Sequence, residues 1–191
     1  MRVAWAFYLL LALGGIAWVG WREDRVPLEL FVDPEGWWID LAAGVGLGLG
    51  LIALWRVGAR LFPAARELEA KIAAVLGPLG REEVIALAVF SGVAEELFFR
   101  GAVQGSWGWA LATVLFALLH TGPGVAFGLW TGFAAVAGGL FGGLMVWRGN
   151  LLGPIVAHFL VNAVNLGRLA VREGSADGPL PASEGSERDD G

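Results

Sequence analysis

The chain has 191 residues and no cysteine, and 57% of its residues are apolar while only 16% are charged. Soluble domains are roughly 45–50% apolar and about 25% charged. This composition, with a mean hydropathy of +0.65, excludes a disordered chain, a nucleic-acid-binding protein and a small disulfide scaffold, and it indicates an integral membrane protein. The net charge of −5 comes largely from the end of the chain, since residues 172–191 hold two basic and six acidic residues.

Two long apolar segments open the chain. Residues 3–21 are apolar without interruption, and no small-x-small cleavage site follows them, so they predict a spanning helix rather than a signal peptide. Residues 37–55, which follow the polar loop 22–36, have Trp at both ends, as is typical of a span that ends at the membrane interfaces. Asp40 lies three residues inside this second span, and we expect its side chain to reach the lipid headgroups.

The segment 56–81 holds five of the 13 basic residues of the chain. Within it, apolar residues of the stretch 64–76 recur at helical spacing between charged ones. This pattern predicts an amphipathic helix that lies on the membrane surface. A solvated connector helix is the alternative interpretation.

Four further helices are predicted after this segment, at residues 82–104, 109–120, 125–147 and 151–170. The second of them is short because Gly-Pro-Gly at 122–124 stops it. The third is rich in glycine, which allows close helix packing in a membrane. Residues 172–191 are rich in Gly, Ser, Pro and acidic residues, and this composition predicts a disordered acidic tail.

Together these elements predict an all-α fold. Because backbone groups must be satisfied inside the lipid, the predicted architecture is a polytopic bundle of about six spanning helices plus the surface amphipathic helix. We expect one membrane domain, residues 1–171, in a multi-pass protein of a bacterial-type cell membrane. Its motif-bearing core is residues 82–166.

The third predicted span contains Glu95, Glu96 and Arg100, although a charge near the centre of a membrane helix costs at least about 2.5–3.5 kcal/mol. Glu96 and Arg100 are four residues apart, so they share a face and can form an ion pair. Glu95 lies about 100° round the helix and has no local partner. It is therefore a functional candidate, the alternative being a structural carboxyl that is neutral or bonded to another helix.

Three more polar residues lie in apolar helices: His120, His158 and Asn162. A lone histidine in such a helix is usually a packing residue, but His158 and Asn162 are four residues apart and point the same way. Counted along the helix axes, Glu95, His120 and His158 lie roughly 14, 16 and 15 Å from one side of the membrane. We call this side, with the loops 22–36, 105–108 and 148–150, the near face. The side of residues 56–81 is the far face.

These four residues suit peptide-bond hydrolysis. A carboxylate and a histidine at one depth can deprotonate a water molecule, and a second histidine with an asparagine can stabilise an oxyanion. The same Glu95, His120 and His158 could instead bind a divalent metal, although the chain has no HExxH motif. It also has no glycine-rich phosphate loop.

Three motifs carry a resemblance to a known family. Residues 95–101, EELFFRG, match the EExxxR signature of the CPBP family of intramembrane endopeptidases, the CAAX-protease and bacteriocin-processing group. Residues 116–120, FALLH, resemble its FxxxH motif, and residues 158–162, HFLVN, its HxxxN motif.

The resemblance implies a glutamic endopeptidase that needs no cofactor or metal. Glu95 and His120 would activate water, and His158 and Asn162 would form the oxyanion hole. Glu96 and Arg100 would hold the helix in place, and Phe116 would support the site. The substrate would be a peptide or a membrane-anchored protein, cut near its anchor within the lipid bilayer, and no nucleic-acid partner is expected.

Two questions stay open at the level of the sequence. The larger number of basic residues at the far face favours that face as the cytoplasmic one. A site that opens at the near face would then face outward, and an outward site would not suit prenylated substrates. A zinc protease with the same residues, and a non-catalytic immunity or scaffold protein, are the alternatives to a glutamic peptidase. The intact set of four polar residues argues against the non-catalytic protein.

Overall fold

The computed structural model describes residues 2–176 of the chain, with their side chains up to residue 170. Seven main helices make up this part: α1 (Arg2–Glu23), α2 (Trp37–Leu61), α3 (Pro63–Leu76), α4 (Arg81–Glu96), α5 (Trp109–Leu119), α6 (Val125–Arg148) and α7 (Leu152–Ala176). A π-helical segment, Leu97–Gln104, continues α4 without a break. The described residues contain no strand, so the all-α prediction is confirmed.

Four helices, α1, α2, α6 and α7 up to residue 170, are long and apolar enough to cross a membrane. The protein is therefore an integral, multi-pass membrane protein. The other two predicted spans differ from these four. Helix α4 with its π-helical extension is as long but carries the charged residues of the candidate site, and α5 is short, as the Gly-Pro-Gly stop predicts.

Glycines set the spacing between α2 and α7. A Cβ on Gly48 would lie 3.2 Å from the Cα of Ala157, and one on Gly44 would lie 3.0 Å from the Cβ of Val156 and collide with the Gly153 carbonyl oxygen. Small residues let two membrane helices approach this closely. The pair supports a buried core of Leu51, Ile52, Ala137, Phe141, Ala157 and Val161.

Asp40 does not reach the headgroups, so that expectation is wrong. Its side chain is fully buried. It accepts hydrogen bonds from Arg148 and, at 2.8 Å, from Asn150. Burial of a carboxylate is costly unless it is paired, and here two residues from the end of α6 and the following loop provide the partners. Asp40 thereby joins α2 to the α6–α7 turn.

The near face is closed by packing. Arg22 at the end of α1 donates hydrogen bonds to the carbonyls of Gly101 and Ala102, and the amide of Leu151 donates to the carbonyl of Leu30.

The far face holds α3, which packs on α6 through Ala65 and Leu68. Helix α3 is therefore part of the bundle as well as amphipathic. Helix α7 extends to Ala176, and the rest of the predicted tail lies outside the described residues.

Candidate active site

One cavity of about 240 Å³ brings the predicted site residues together. Its lining includes Glu95 from α4, His120 from the end of α5, and His158 and Asn162 from α7. These four side chains come from three separate helices, so the helical packing, and not the chain, makes them neighbours. The predicted supporting residues Glu96, Arg100 and Phe116 are buried behind this lining.

Glu95 and His120 face each other in the cavity. The Oε2 atom of Glu95 lies 4.0 Å from the Nε2 atom of His120 and has no hydrogen-bond partner among the described residues. The Nδ1 atom of His120 lies 2.8 Å from the carbonyl oxygen of Phe116, and because a carbonyl only accepts, Nδ1 carries the proton. A neutral His120 therefore presents an unprotonated Nε2 to Glu95.

Glu96 points away from the cavity into a buried ion network. Its Oε1 atom accepts a hydrogen bond from Nη1 of Arg100 at 3.0 Å, which confirms the predicted pair, and a second from Nδ1 of His158 at 2.7 Å. Arg100 also donates to the carbonyl oxygen of Gly138 at 3.0 Å. The network thus links the end of α4 to α6 and α7. The bond from His158 to Glu96 was not foreseen from the sequence.

Phe116 packs between the charged network and the two histidines. The guanidinium carbon of Arg100 lies 4.3 Å from the centre of its ring, a cation–π distance. The rings of Phe116 and His120 lie 4.6 Å apart, and His158 stacks on Phe141 at 5.3 Å. Aromatic rings therefore pack against both imidazoles.

The sequence analysis missed several residues that line the cavity. Asn162 donates a hydrogen bond from Nδ2 to the hydroxyl of Ser91 at 2.8 Å, and Asn165 lies one helical turn beyond it with an unpartnered, buried Oδ1 atom. Tyr8 of α1 also lines the cavity. Helical spacing could have found Ser91, because it precedes Glu95 by four residues and therefore shares its face.

The cavity extends toward the far face. Its outer lining includes Ala4 at the start of α1, Leu68 and Ile72 of α3, and Leu169 near the end of α7, all of which lie on that side. No residue of the near-face loops lines it. The expectation of a site that faces the near side is therefore corrected. Depth along a helix measures distance to a surface, whereas the opening depends on where neighbouring helices separate.

Comparison with known proteins gives a family match for the part of the chain that carries the motifs. Residues 82–164 match the family model described as type II CAAX prenyl endopeptidase Rce1-like. The match covers less than half of the chain. It agrees with the resemblance of the three motifs to the CAAX-protease group.

A curated relative covers a similar stretch. The uncharacterized protein YpbD of Bacillus subtilis (strain 168) is 36% identical over 81 residues, which are 42% of this chain and 42% of that protein. The similarity therefore spans less than half the length of either chain. No solved structure gives a significant match.

The segment that matches the Rce1-like model contains Glu95, His120, His158 and Asn162. Helices α1 and α3 and residue Asn165 lie outside it yet complete the cavity wall. Within residues 2–176, no group of three or more Asp, Glu or His side chains is placed to hold a metal ion. The polar groups of the cavity are arranged as two pairs, Glu95 with His120 and Asn162 with Ser91, beside the Glu96 network.

Proposed function

We propose that this protein is an intramembrane endopeptidase in which Glu95 and His120 activate a water molecule. The observation that carries the proposal is the 4.0 Å separation between the Glu95 carboxylate and Nε2 of His120 inside a membrane cavity. A water oxygen makes hydrogen bonds of about 2.8 Å, so a single water fits against both atoms. The match of residues 82–164 to a model of CAAX-type endopeptidases supports the same reaction class.

In the proposed reaction Glu95 removes a proton from this water as the oxygen attacks the peptide carbonyl. His120 orients the water through its unprotonated Nε2 atom, because the Phe116 carbonyl holds its other nitrogen. The carbonyl carbon becomes tetrahedral and its oxygen becomes an oxyanion. As the oxyanion re-forms the carbonyl, the C–N bond breaks, the proton on Glu95 passes to the leaving amine, and no covalent enzyme intermediate is formed.

His158 and Asn162 are the proposed donors to the oxyanion. One N–H of the Asn162 amide is bound to Ser91, and the second N–H of the same group is free to donate. Preorganised donors of this kind lower the barrier because they need no rearrangement when the charge develops. The Glu96 network holds the ring of His158 in place from the other side.

The substrate that fits this cavity is an extended peptide next to a lipid or helical membrane anchor. The outer part of the cavity is lined by apolar side chains, including Leu68, Ile72 and Leu169. Arg100 is buried in the bundle and adds no charge to the near face, whereas residues 56–81 hold five basic residues at the far face. Positive residues favour the cytoplasmic side, and we therefore assign the cavity opening to the cytoplasm.

Comparative proteomics of membrane fractions tests the proposal. Membranes that contain wild-type protein should yield an anchored protein shortened by a tail, and membranes with Glu95→Gln should not, since Gln keeps the shape but cannot take a proton. Glu82→Gln is the matched control, because Glu82 lies exposed at the start of the same helix. Equal processing by Glu95→Gln would overturn the proposed base.

The same experiment separates the alternatives. Loss of processing with a strong chelator, and its recovery with zinc, would favour a zinc peptidase and contradict the proposal. An anchored protein that co-purifies intact with wild type and Glu95→Gln alike would favour a non-catalytic binding protein.

A further inference from the structure

Four arginine side chains line one groove on the far face, outside the proposed active site. Arg56 and Arg60 come from the end of α2, Arg66 from the start of α3, and Arg168 from the last turns of α7. We call this set, with Ala59 at its base, the arginine groove. It is separate from the cavity that holds Glu95, whose lining includes none of these arginines.

Within residues 2–170, one ion pair, that of Arg168 with Glu69, involves an arginine of the groove. The side chains of Arg56 and Arg60 form no ion pair or hydrogen bond among residues 2–170. Nη1 of Arg168 is buried, has no hydrogen-bond partner among residues 2–170, and lies 3.9 Å from the carboxylate of Glu69. Glu69 also accepts a hydrogen bond from Trp55. Within the side chains that the structure describes, the four guanidinium groups of the groove therefore outnumber the carboxylates that pair with them.

Arg66 also masks the carbonyl end of α2. Its Nη1 atom donates to the carbonyl oxygens of Ala59 at 3.1 Å and Arg60 at 3.4 Å. Free carbonyls at a helix C-terminus carry partial negative charge and repel an anion. Because Arg66 covers them, the groove presents hydrogen-bond donors at a helix end that would otherwise disfavour negative groups.

We propose that the arginine groove binds the phosphate group of an anionic phospholipid. Guanidinium forks match the geometry of phosphate oxygens, and basic pockets at the cytoplasmic ends of membrane helices attract anionic headgroups. The groove lies at the end of the membrane-spanning α2, and exposed Leu54 and Val57 precede Arg60 in the same helix, on its membrane side. These side chains would contact the acyl chains of a lipid, whereas a free phosphate would make no contact with them.

The proposal does not depend on peptidase activity, and lipid binding to the purified full-length chain tests it. Native mass spectrometry during titration with phosphatidylglycerol should show one tightly retained lipid per chain, and phosphatidylcholine should be retained weakly. Arg56→Gln with Arg60→Gln should weaken phosphatidylglycerol binding about 30-fold, since each basic residue contributes about 1 kcal/mol. Both side chains are exposed, so unchanged thermal unfolding is expected.

The matched control removes the same two charges elsewhere on the far face. Lys71→Gln with Arg81→Gln should keep phosphatidylglycerol binding within about threefold of wild type, as expected when charge acts only at a distance. Equal losses in the two double variants would overturn the groove in favour of diffuse surface attraction. Displacement of the lipid by millimolar inorganic phosphate would assign the site to free phosphate. If the wild-type protein retained phosphatidylglycerol and phosphatidylcholine equally, that result alone would overturn the proposal.

Discussion

The carboxylate of Glu96 holds the imidazole of His158, with 2.7 Å between Oε1 and Nδ1. An ionised carboxylate only accepts hydrogen bonds, so Nδ1 of His158 carries the proton. For His158 to donate to an oxyanion from Nε2 as well, the ring must be doubly protonated, and Glu96 is then its counter-ion. The two adjacent glutamates therefore have different tasks, Glu95 at the proposed reaction and Glu96 in positioning His158.

Glu96→Gln should destabilise the protein. Removal of one partner from a buried charged network leaves the other charge uncompensated and costs about 3–5 kcal/mol; here the remaining charge is Arg100, only 1% exposed. Thermal unfolding in detergent measures the effect, with Glu82→Gln as a control expected to stay within about 0.5 kcal/mol. A Glu96→Gln variant as stable as wild type would contradict the structural role of the network.

Asn162→Ala should slow catalysis with little effect on substrate binding. If Asn162 donates to the oxyanion, its loss should lower kcat roughly 10²–10³-fold, about 2.7–4 kcal/mol, and leave KM nearly unchanged. If the site is a zinc centre, the loss should be about 10–100-fold and added zinc should restore part of it. Turnover of a peptide substrate with and without chelator distinguishes the two mechanisms, and wild-type turnover would remove Asn162 from the site.

Ser91→Ala should act through Asn162. The Ser91 hydroxyl accepts the 2.8 Å hydrogen bond that orients the amide, and a hydrogen bond contributes about 0.5–1.5 kcal/mol, so kcat should fall by several-fold. In the Asn162→Ala background the same substitution should have no further effect on kcat, because residues in direct contact are not additive. Additive losses in the double variant would show that Ser91 acts independently of Asn162.

Cysteine labelling checks the orientation, since the chain has no cysteine of its own. Ser106 and Ala70 are both exposed, on the near and the far face respectively. A cysteine at Ser106 should react with an impermeant thiol reagent from outside intact cells, and one at Ala70 should react only after the cells are opened. The reverse pattern would place the far face, and with it the cavity opening, outside.

Gly44→Ala should weaken the α2–α7 contact. The added Cβ would collide with the Gly153 carbonyl and lie 3.0 Å from Val156, and overpacking of this kind costs about 1–3 kcal/mol. Gly46→Ala is the control in the same helix, because a Cβ there would meet nothing within 4 Å. Thermal unfolding should separate the two variants, and equal stability would contradict the close approach of the helices.

The sequence by itself determined the helical membrane class and most helix boundaries to within two residues. It also singled out Glu95, His120, His158 and Asn162, which line one cavity. It could do so because apolar run length, helical spacing and the cost of buried charge act locally along the chain. Glu96 and Arg100 were paired correctly for the same reason, since residues four apart in a helix are neighbours.

Only the tertiary structure decided the relations between helices. His158 is hydrogen-bonded to Glu96 of α4, and Asp40 of α2 is hydrogen-bonded to Arg148 and Asn150. The cavity opens at the far face, beside α3. Each of these depends on how separate helices are rotated and tilted against one another. Spacing along one helix determines which side chains share a face. The close packing of glycines and aromatic side chains between helices determines which residues of other helices that face contacts.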